Sequence, residues 1–82
     1  MAEPGRAGFL KKRSFSIAGH RTSVALEPEF WAVLEDRARR SHLSLSALVA
    51  RIDADRADRP LASALRLAAL SDVRSDSAME NR

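Results

Sequence analysis

The sequence predicts a mainly α-helical protein with one short strand, completed by a second copy of the chain. Polar and apolar residues alternate over positions 20–26, and the helix-starting Pro28 follows. Helical patterns continue from there to about residue 70. An isolated strand leaves its N–H and C=O groups without partners, and its open edge is a template for another chain. We therefore expect a homodimer in which the two strands pair antiparallel in one intermolecular ribbon.

Length and composition agree with an oligomer. The chain has 82 residues and no cysteine, so no disulfide can reinforce a thin core. The two histidines, His20 and His42, lie in no cluster of metal-ligating residues, and no catalytic triad, glycine-rich phosphate loop or paired-acid motif occurs. We therefore expect no metal, no cofactor, no evident small-molecule ligand and no enzymatic activity.

The apolar runs are short and the charge is unevenly distributed. No run approaches the roughly 18 residues of a membrane span, and the basic start lacks the apolar stretch of a secretory signal, so we expect a cytoplasmic protein. The formal charge is +3. Before the strand, the basic residues are Arg6 and the run 11–13, and the only acidic residue is Glu3. A basic segment beside a strand is typical of nucleic-acid binding, although a solubilising tail is the alternative interpretation.

We divide the chain into three parts. Residues 1–19 are expected to form a flexible basic arm, and the alternation over 14–18 leaves open an extra strand there. Residues 20–70 form the folded domain, and the polar residues 71–82 form a disordered tail.

Three helices are predicted within the domain. The first begins at Pro28 and ends near Ser41. The second begins after Ser44, whose side-chain oxygen can cap its free N–H groups, and runs to about Ala57. The third spans 61–70 and is apolar on both sides, which indicates contact with a partner chain. The apolar residues of the strand and the first two helices are expected to form the dimer core: Val24, Leu26, Phe30, Trp31, Leu34, Leu45, Leu48, Val49 and Ile52.

A strand followed by two helices with a tight Ser-His-Leu-Ser turn resembles the ribbon-helix-helix family of Arc-type and methionine-repressor-type DNA-binding proteins. The resemblance rests on residues 21–26 as the ribbon, the apolar face of the first helix, and residues 43–49 as the turn and the start of the second helix. The wider pattern over 13–70 resembles a subfamily of small bacterial members with an appended third helix.

This resemblance implies a paired ribbon that enters the major groove of double-stranded DNA. The outward, base-reading residues are then Arg21, Ser23 and Ala25, while Thr22, Val24 and Leu26 face the core. Arg21 can donate two hydrogen bonds to guanine and Ser23 can bond either base type. Ala25 departs from the polar residue common at its position and can only touch a thymine methyl.

The family also implies contacts to the DNA backbone. The N-terminus of the second helix points its N–H groups at a phosphate, and Ser44, Leu45 and Ser46 occupy that place. We expect the basic arm to add phosphate contacts through Lys11, Lys12 and Arg13. Phosphate contacts position the ribbon without reading sequence.

The expected function is sequence-specific DNA binding by a homodimer, as a bacterial transcriptional repressor or other regulator that is nucleoid-associated when bound. Higher-order assembly on tandem sites stays open, as do the operator, the regulated genes and any effector. The alternative is a protein-interaction module, such as an antitoxin, whose third helix and tail hold a partner protein. The scarcity of apolar residues after Leu70 disfavours this alternative.

Overall fold

Residues 9–80 are described by a computed structural model, with side chains as far as Val73. A two-stranded antiparallel sheet comes first and three helices follow. The strands are β1 (Lys11–Ile17) and β2 (His20–Leu26), and the helices are α1 (Pro28–Arg40), α2 (Leu45–Asp55) and α3 (Leu61–Glu80). The predicted fold class, mainly helical with a two-stranded antiparallel sheet and a third helix, is confirmed, but this sheet lies within one chain, whereas the predicted ribbon was formed between two chains.

The strand over residues 20–26 already has a partner within its own chain. β1 pairs with it from Lys11 opposite Leu26 to Ile17 opposite His20. The prediction of a lone strand preceded by a flexible arm is therefore wrong for residues 11–17, while residues 1–8 of that arm lie outside the described residues. The physical reason is that Phe15 and Ile17 are buried on the same side as Val24. Removing these side chains from water offsets the entropy lost when the segment is ordered.

The hairpin is closed by a two-residue turn, Ala18-Gly19. Both residues have positive φ angles, 52° and 81°, which is the pattern of a type I′ turn. This turn matches the right-handed twist of the two strands. A Cβ built on Gly19 would meet no atom within 4 Å, so the backbone angle alone favours glycine there. Ala18 carries a Cβ in the left-handed region, at a cost of about 1–2 kcal/mol.

Residues at its two ends determine where α1 begins and ends. Pro28 occupies the first turn, and basic residues fill the last turn, which suits the helix dipole. The helix ends in a Schellman motif, in which Leu43 N–H donates to Ala38 O at 2.8 Å and His42 N–H donates to Arg39 O at 3.1 Å. His42 takes the left-handed conformation at φ 59° that this motif requires.

α2 is capped as predicted. Ser44 Oγ accepts a hydrogen bond from Ala47 N–H at 3.0 Å. The helix ends at Asp55, slightly before the predicted end at Ala57, because Ala57 adopts a positive φ of 56° that no α-helix contains.

α3 extends well beyond the predicted end at Leu70. It continues to Glu80, so residues 71–80 of the expected tail are helical and residues 81–82 lie outside the described residues. No glycine or proline occurs between 61 and 80 to interrupt the helix. An ion pair of 2.6 Å between Arg40 and Asp72 joins the extension to α1.

The core lies where the inner face of the hairpin meets the three helices. Each element contributes to it, and the largest side chains without solvent exposure are Leu26, Leu34, Val49 and Leu65. α3 packs against α1, α2 and β2, with Leu65 and Ala69 inward. Leu67 and Leu70 lie on the opposite side and are nearly half exposed, as expected for a helix that is apolar on two sides.

Replacing Ala18 by Asn should stabilise the hairpin, because Asn tolerates the left-handed region better than Ala. We expect the free energy of unfolding to rise by about 0.5–1 kcal/mol, measured by urea denaturation followed by circular dichroism at fixed protein concentration.

Gly19→Ala is the matched control in the same turn, and it should lower stability through the φ angle alone. If neither substitution changes the unfolding midpoint, residues 11–17 are an unpaired arm and the hairpin is refuted.

Candidate nucleic-acid interface

One face of the hairpin is directed to solvent and is polar and basic. In β2, Arg21 and Ser23 are exposed and Ala25 is half-buried, whereas Val24 and Leu26 are buried. The alternate residues of β1 are exposed as well. Because the strands pair in register, these side chains lie side by side in three cross-strand pairs. We call this set the outer face: Lys12 opposite Ala25, Ser14 opposite Ser23, and Ser16 opposite Arg21.

The two serines at the middle of the outer face are hydrogen-bonded to each other. Ser14 Oγ and Ser23 Oγ lie 2.9 Å apart, and either hydroxyl can be the donor. Each hydroxyl keeps capacity for a further hydrogen bond. The sequence pattern predicts Ser23 on this face but indicates no role for Ser14 or Ser16. Their alternation with Phe15 and Ile17 was the available signal, but the adjacent basic run is equally typical of a disordered arm.

The hairpin carries positive charge only. Residues 11–26 contain four Lys and Arg residues and no Asp or Glu. Lys11, Lys12 and Arg21 are exposed, as is His20 at the turn end of β2. A surface with this balance attracts phosphate groups at long range.

Arg13, the third of the arm residues expected to contact phosphate, is engaged with α1. Its Nη1 lies 2.6 Å from Glu35 Oε2, and its guanidinium carbon lies 5.3 Å from the centroid of the Trp31 ring. The ion pair compensates the charge and the aromatic contact holds the guanidinium plane. Of Lys11, Lys12 and Arg13, the structure thus places Lys12 on the outer face and Arg13 against the first helix.

Trp31 attaches β1 to the rest of the molecule. Its Nε1 donates a 2.8 Å hydrogen bond to the backbone oxygen of Lys11. Its ring packs against Phe15, with centroids 5.9 Å apart, and is only 2% exposed. Trp31 therefore belongs to the core, as predicted, and its polar N–H is satisfied by the strand it holds.

The second edge of β2 is not paired within the described sheet, which has two strands. In a hairpin with a two-residue turn, the residues that flank the turn exchange hydrogen bonds, and such pairs alternate along the strands. The backbone groups of residues 20, 22, 24 and 26 therefore face β1. Those of Arg21, Ser23 and Ala25 face the second edge, where they can pair with another strand.

The N-terminus of α2 supplies donors of another kind. The N–H groups of Leu45 and Ser46 precede the first intrahelical hydrogen bond, so they are left to water or a ligand. Ser44 and Ser46 are exposed and Leu45 is half-buried. α2 as a whole also contacts β1.

The residues predicted for a dimer core pack together within one chain. Val24, Leu26, Trp31, Leu34, Leu48 and Val49 are buried there, and Phe30, Leu45 and Ile52 are partly buried against them.

Hydrogen bonds and ion pairs at the surface shift the pKa of three groups. A hydrogen bond from its own backbone N–H, helped by Arg66 at 3.0 Å, lowers the pKa of Glu27 below its ordinary value. Hydrogen bonds from Arg40, with a contribution from Arg39, lower the pKa of Asp36. The pKa of Arg40 is raised, first by Asp36 and then by Asp72. Of these surface contacts, Arg40–Asp72 connects α1 to α3, and Glu27–Arg66 connects the residue between β2 and α1 to α3. Each contact is screened by solvent.

A second surface lies beside α3. An open cleft of about 510 Å³ is bounded by Ile52, Asp55 and Arg56 on the α2 side and by Leu67 and Ala68 on α3.

Among residues 9–80, no helix is long and apolar enough to cross a lipid bilayer. The same residues contain no group of three or more side chains arranged to hold a metal ion.

Comparison with known families agrees with this architecture. A family model described as "Ribbon-helix-helix domain" matches residues 10–73, which includes β1 and extends into α3. The match covers most of the 82 residues, so the chain belongs to the ribbon-helix-helix family, a family of DNA-binding regulators. Searches of curated proteins and of solved structures gave no match.

Replacing Asp36 by Asn should reduce stability at neutral pH but not in acid. Because the folded pKa of Asp36 is lowered, its stabilising contribution is present above the unfolded pKa and is lost as the pH falls through the folded pKa. Urea denaturation of parent and variant from pH 7 to pH 2 should therefore converge in acid. Asp58→Asn, in the exposed loop after α2, is the control, and an equal effect of both variants would contradict the role given to Arg40.

Proposed function

We propose that this protein is a homodimer that binds double-stranded DNA sequence-specifically and acts as a transcriptional repressor in the bacterial cytoplasm, nucleoid-associated when bound. The observation that carries the proposal is the outer face of the hairpin, which is polar, basic and free of acidic residues, on a chain of the ribbon-helix-helix family. We propose no enzymatic role and no cofactor.

The proposed dimer forms through the second edge of β2. Two copies of a seven-residue strand pair over their full length when Ser23 of one copy lies opposite Ser23 of the other. This register uses the backbone groups of Arg21, Ser23 and Ala25, which point away from β1. The result is a four-stranded sheet with the two β2 strands at its centre and a two-fold axis through Ser23.

In this arrangement the central β2 strands present their outer residues to the major groove. Arg21 donates to guanine, Ser23 bonds either base type, and Ala25 contacts a thymine methyl. The two-fold axis repeats these contacts, so the operator is expected to be palindromic. The N-terminus of α2, at Ser44, Leu45 and Ser46, is proposed to bind a backbone phosphate and set the position of the ribbon.

The exposed apolar residues of α3 favour a second candidate function. Leu67, Leu70 and Val73 are each nearly half exposed, and Leu67 also lines the open cleft. A row of this kind is typical of a protein-binding surface. A protein-interaction module such as an antitoxin would use it. Isolation of the native protein in a stoichiometric complex with a second protein would favour this function, which is compatible with DNA binding.

Ser23→Pro should prevent dimerisation, because it removes an N–H that points to the second edge of β2. Ser14→Pro is the matched control. Ser14 lies directly opposite Ser23 in the hairpin, and replacing either serine removes the same hydrogen bond between their hydroxyls. The N–H of Ser14, however, points to the outer edge of β1 and not to the second edge of β2. We expect sedimentation to show a dimer for the parent and for Ser14→Pro but not for Ser23→Pro, with circular dichroism to report folding.

For the parent, the unfolding midpoint should rise with protein concentration, because folding and association are linked. A parent that sediments as a monomer, or a dimer unaffected by Ser23→Pro, would contradict the proposed interface.

Arg21→Ala should weaken binding to a duplex selected from a random pool by about 1–3 kcal/mol and reduce discrimination at one base pair of each half-site. Arg59→Ala removes the same charge from an exposed loop after α2 and serves as the control. Fluorescence anisotropy with the selected duplex and single-base variants measures both effects. If Arg21→Ala and Arg59→Ala lower affinity equally on all duplexes, Arg21 does not read bases.

A further inference from the structure

We infer that β1 supplies a second row of DNA contacts, made to backbone phosphates by Lys12, Ser14 and Ser16. This inference rests on the proposed DNA-binding function and extends it from one strand per chain to two. The sequence pattern predicts phosphate contacts by Lys12 from a flexible arm and gives Ser14 and Ser16 no role. The structure places all three on the outer face, in register with the base-reading strand.

The dimensions of the sheet and of DNA separate the roles of the two rows. Neighbouring strands lie about 4.8 Å apart, so the two β2 strands of the dimer fit side by side within a major groove about 12 Å wide. The two β1 strands are three spacings apart, about 14 Å, which exceeds the width of the groove. They therefore lie over its walls, which consist of sugar and phosphate. The central row meets bases and the outer row meets phosphates.

The side chains of the outer row suit phosphate. Lys12 is exposed and carries a compact positive charge, and Ser14 and Ser16 are exposed hydroxyls that can donate to phosphate oxygens. The 2.9 Å hydrogen bond between Ser14 and Ser23 connects the two rows, so a phosphate held by Ser14 also orients the hydroxyl that reads a base. No acidic residue interrupts the row, since residues 11–26 contain none.

Arg13 distinguishes phosphate contacts made by an ordered strand from a general attraction between DNA and a basic segment. It follows Lys12 directly and carries the same charge, but it is paired with Glu35 at 2.6 Å and lies over the Trp31 ring. A mobile basic tail would use both residues alike. A strand with fixed faces directs Lys12 to DNA and leaves Arg13 on α1.

The test compares Lys12→Gln with Arg13→Gln, since glutamine keeps part of the side-chain stem and removes the charge in both. DNA affinity is measured by fluorescence anisotropy over a salt series, on the selected duplex and on an unrelated one. Log affinity falls with log salt by roughly 0.9 for each phosphate neutralised, and a dimer has two copies of Lys12. Lys12→Gln should thus reduce the slope by nearly 2 on both duplexes, while Arg13→Gln leaves the slope unchanged.

Ser16→Asp provides an independent measurement, because it places a negative charge beside the groove wall without removing a positive one. It should lower affinity on both duplexes alike, while the ratio between the two duplexes stays as in the parent. Circular dichroism of each variant verifies that the fold is retained.

Each other outcome has a definite meaning. The inference is overturned if Lys12→Gln leaves the salt dependence of DNA affinity unchanged, or if both glutamine variants reduce it equally. In either case the proposed function stands. A parent that binds no duplex overturns the proposed function itself, and so the two failures are distinguishable.

Discussion

Burial of the inner face of the hairpin is the constraint on which the rest of the structure depends. Phe15 and Ile17 from β1 and Val24 and Leu26 from β2 enter the core, where Leu34, Val49 and Leu65 meet them. Because side chains alternate along a strand, burying one set forces the other set into solvent. A shift of one residue would exchange the two faces. The apolar core thus determines which side chains the protein presents outside.

Trp31 fixes the position of β1 against the first helix. One side chain supplies a hydrogen bond to the strand backbone, an aromatic contact to Phe15 and a platform for Arg13. These contacts come from the first helix, so they join the start of the chain to the element that follows the ribbon. Surface residues carried on such a strand are already ordered, and a binding partner need not supply the free energy of ordering them.

The division of charge follows from the same arrangement. Arg13 faces the helices and is compensated by Glu35, whereas Lys12 and Arg21 face solvent at opposite ends of the outer face. Lys12 and Arg13, which are adjacent in sequence, thus have different surroundings, because strand alternation separates neighbours onto two faces. α3 adds a further layer, held to the preceding elements by Leu65, Ala69 and the ion pairs of Arg66 and Arg40.

Local patterns in the sequence determined β2, the start of α1 at Pro28, the Ser44 cap and the membership of the family, because each depends on residues close together in the chain. Tertiary structure alone decided that residues 11–17 form a strand, that Arg13 pairs with Glu35, and that Ser14 meets Ser23. It also decided how far α3 extends. A basic segment with two apolar residues is compatible with an arm or a strand. The choice depends on whether a distant apolar surface is present to bury Phe15 and Ile17, and that surface is assembled from helices that follow later in the sequence.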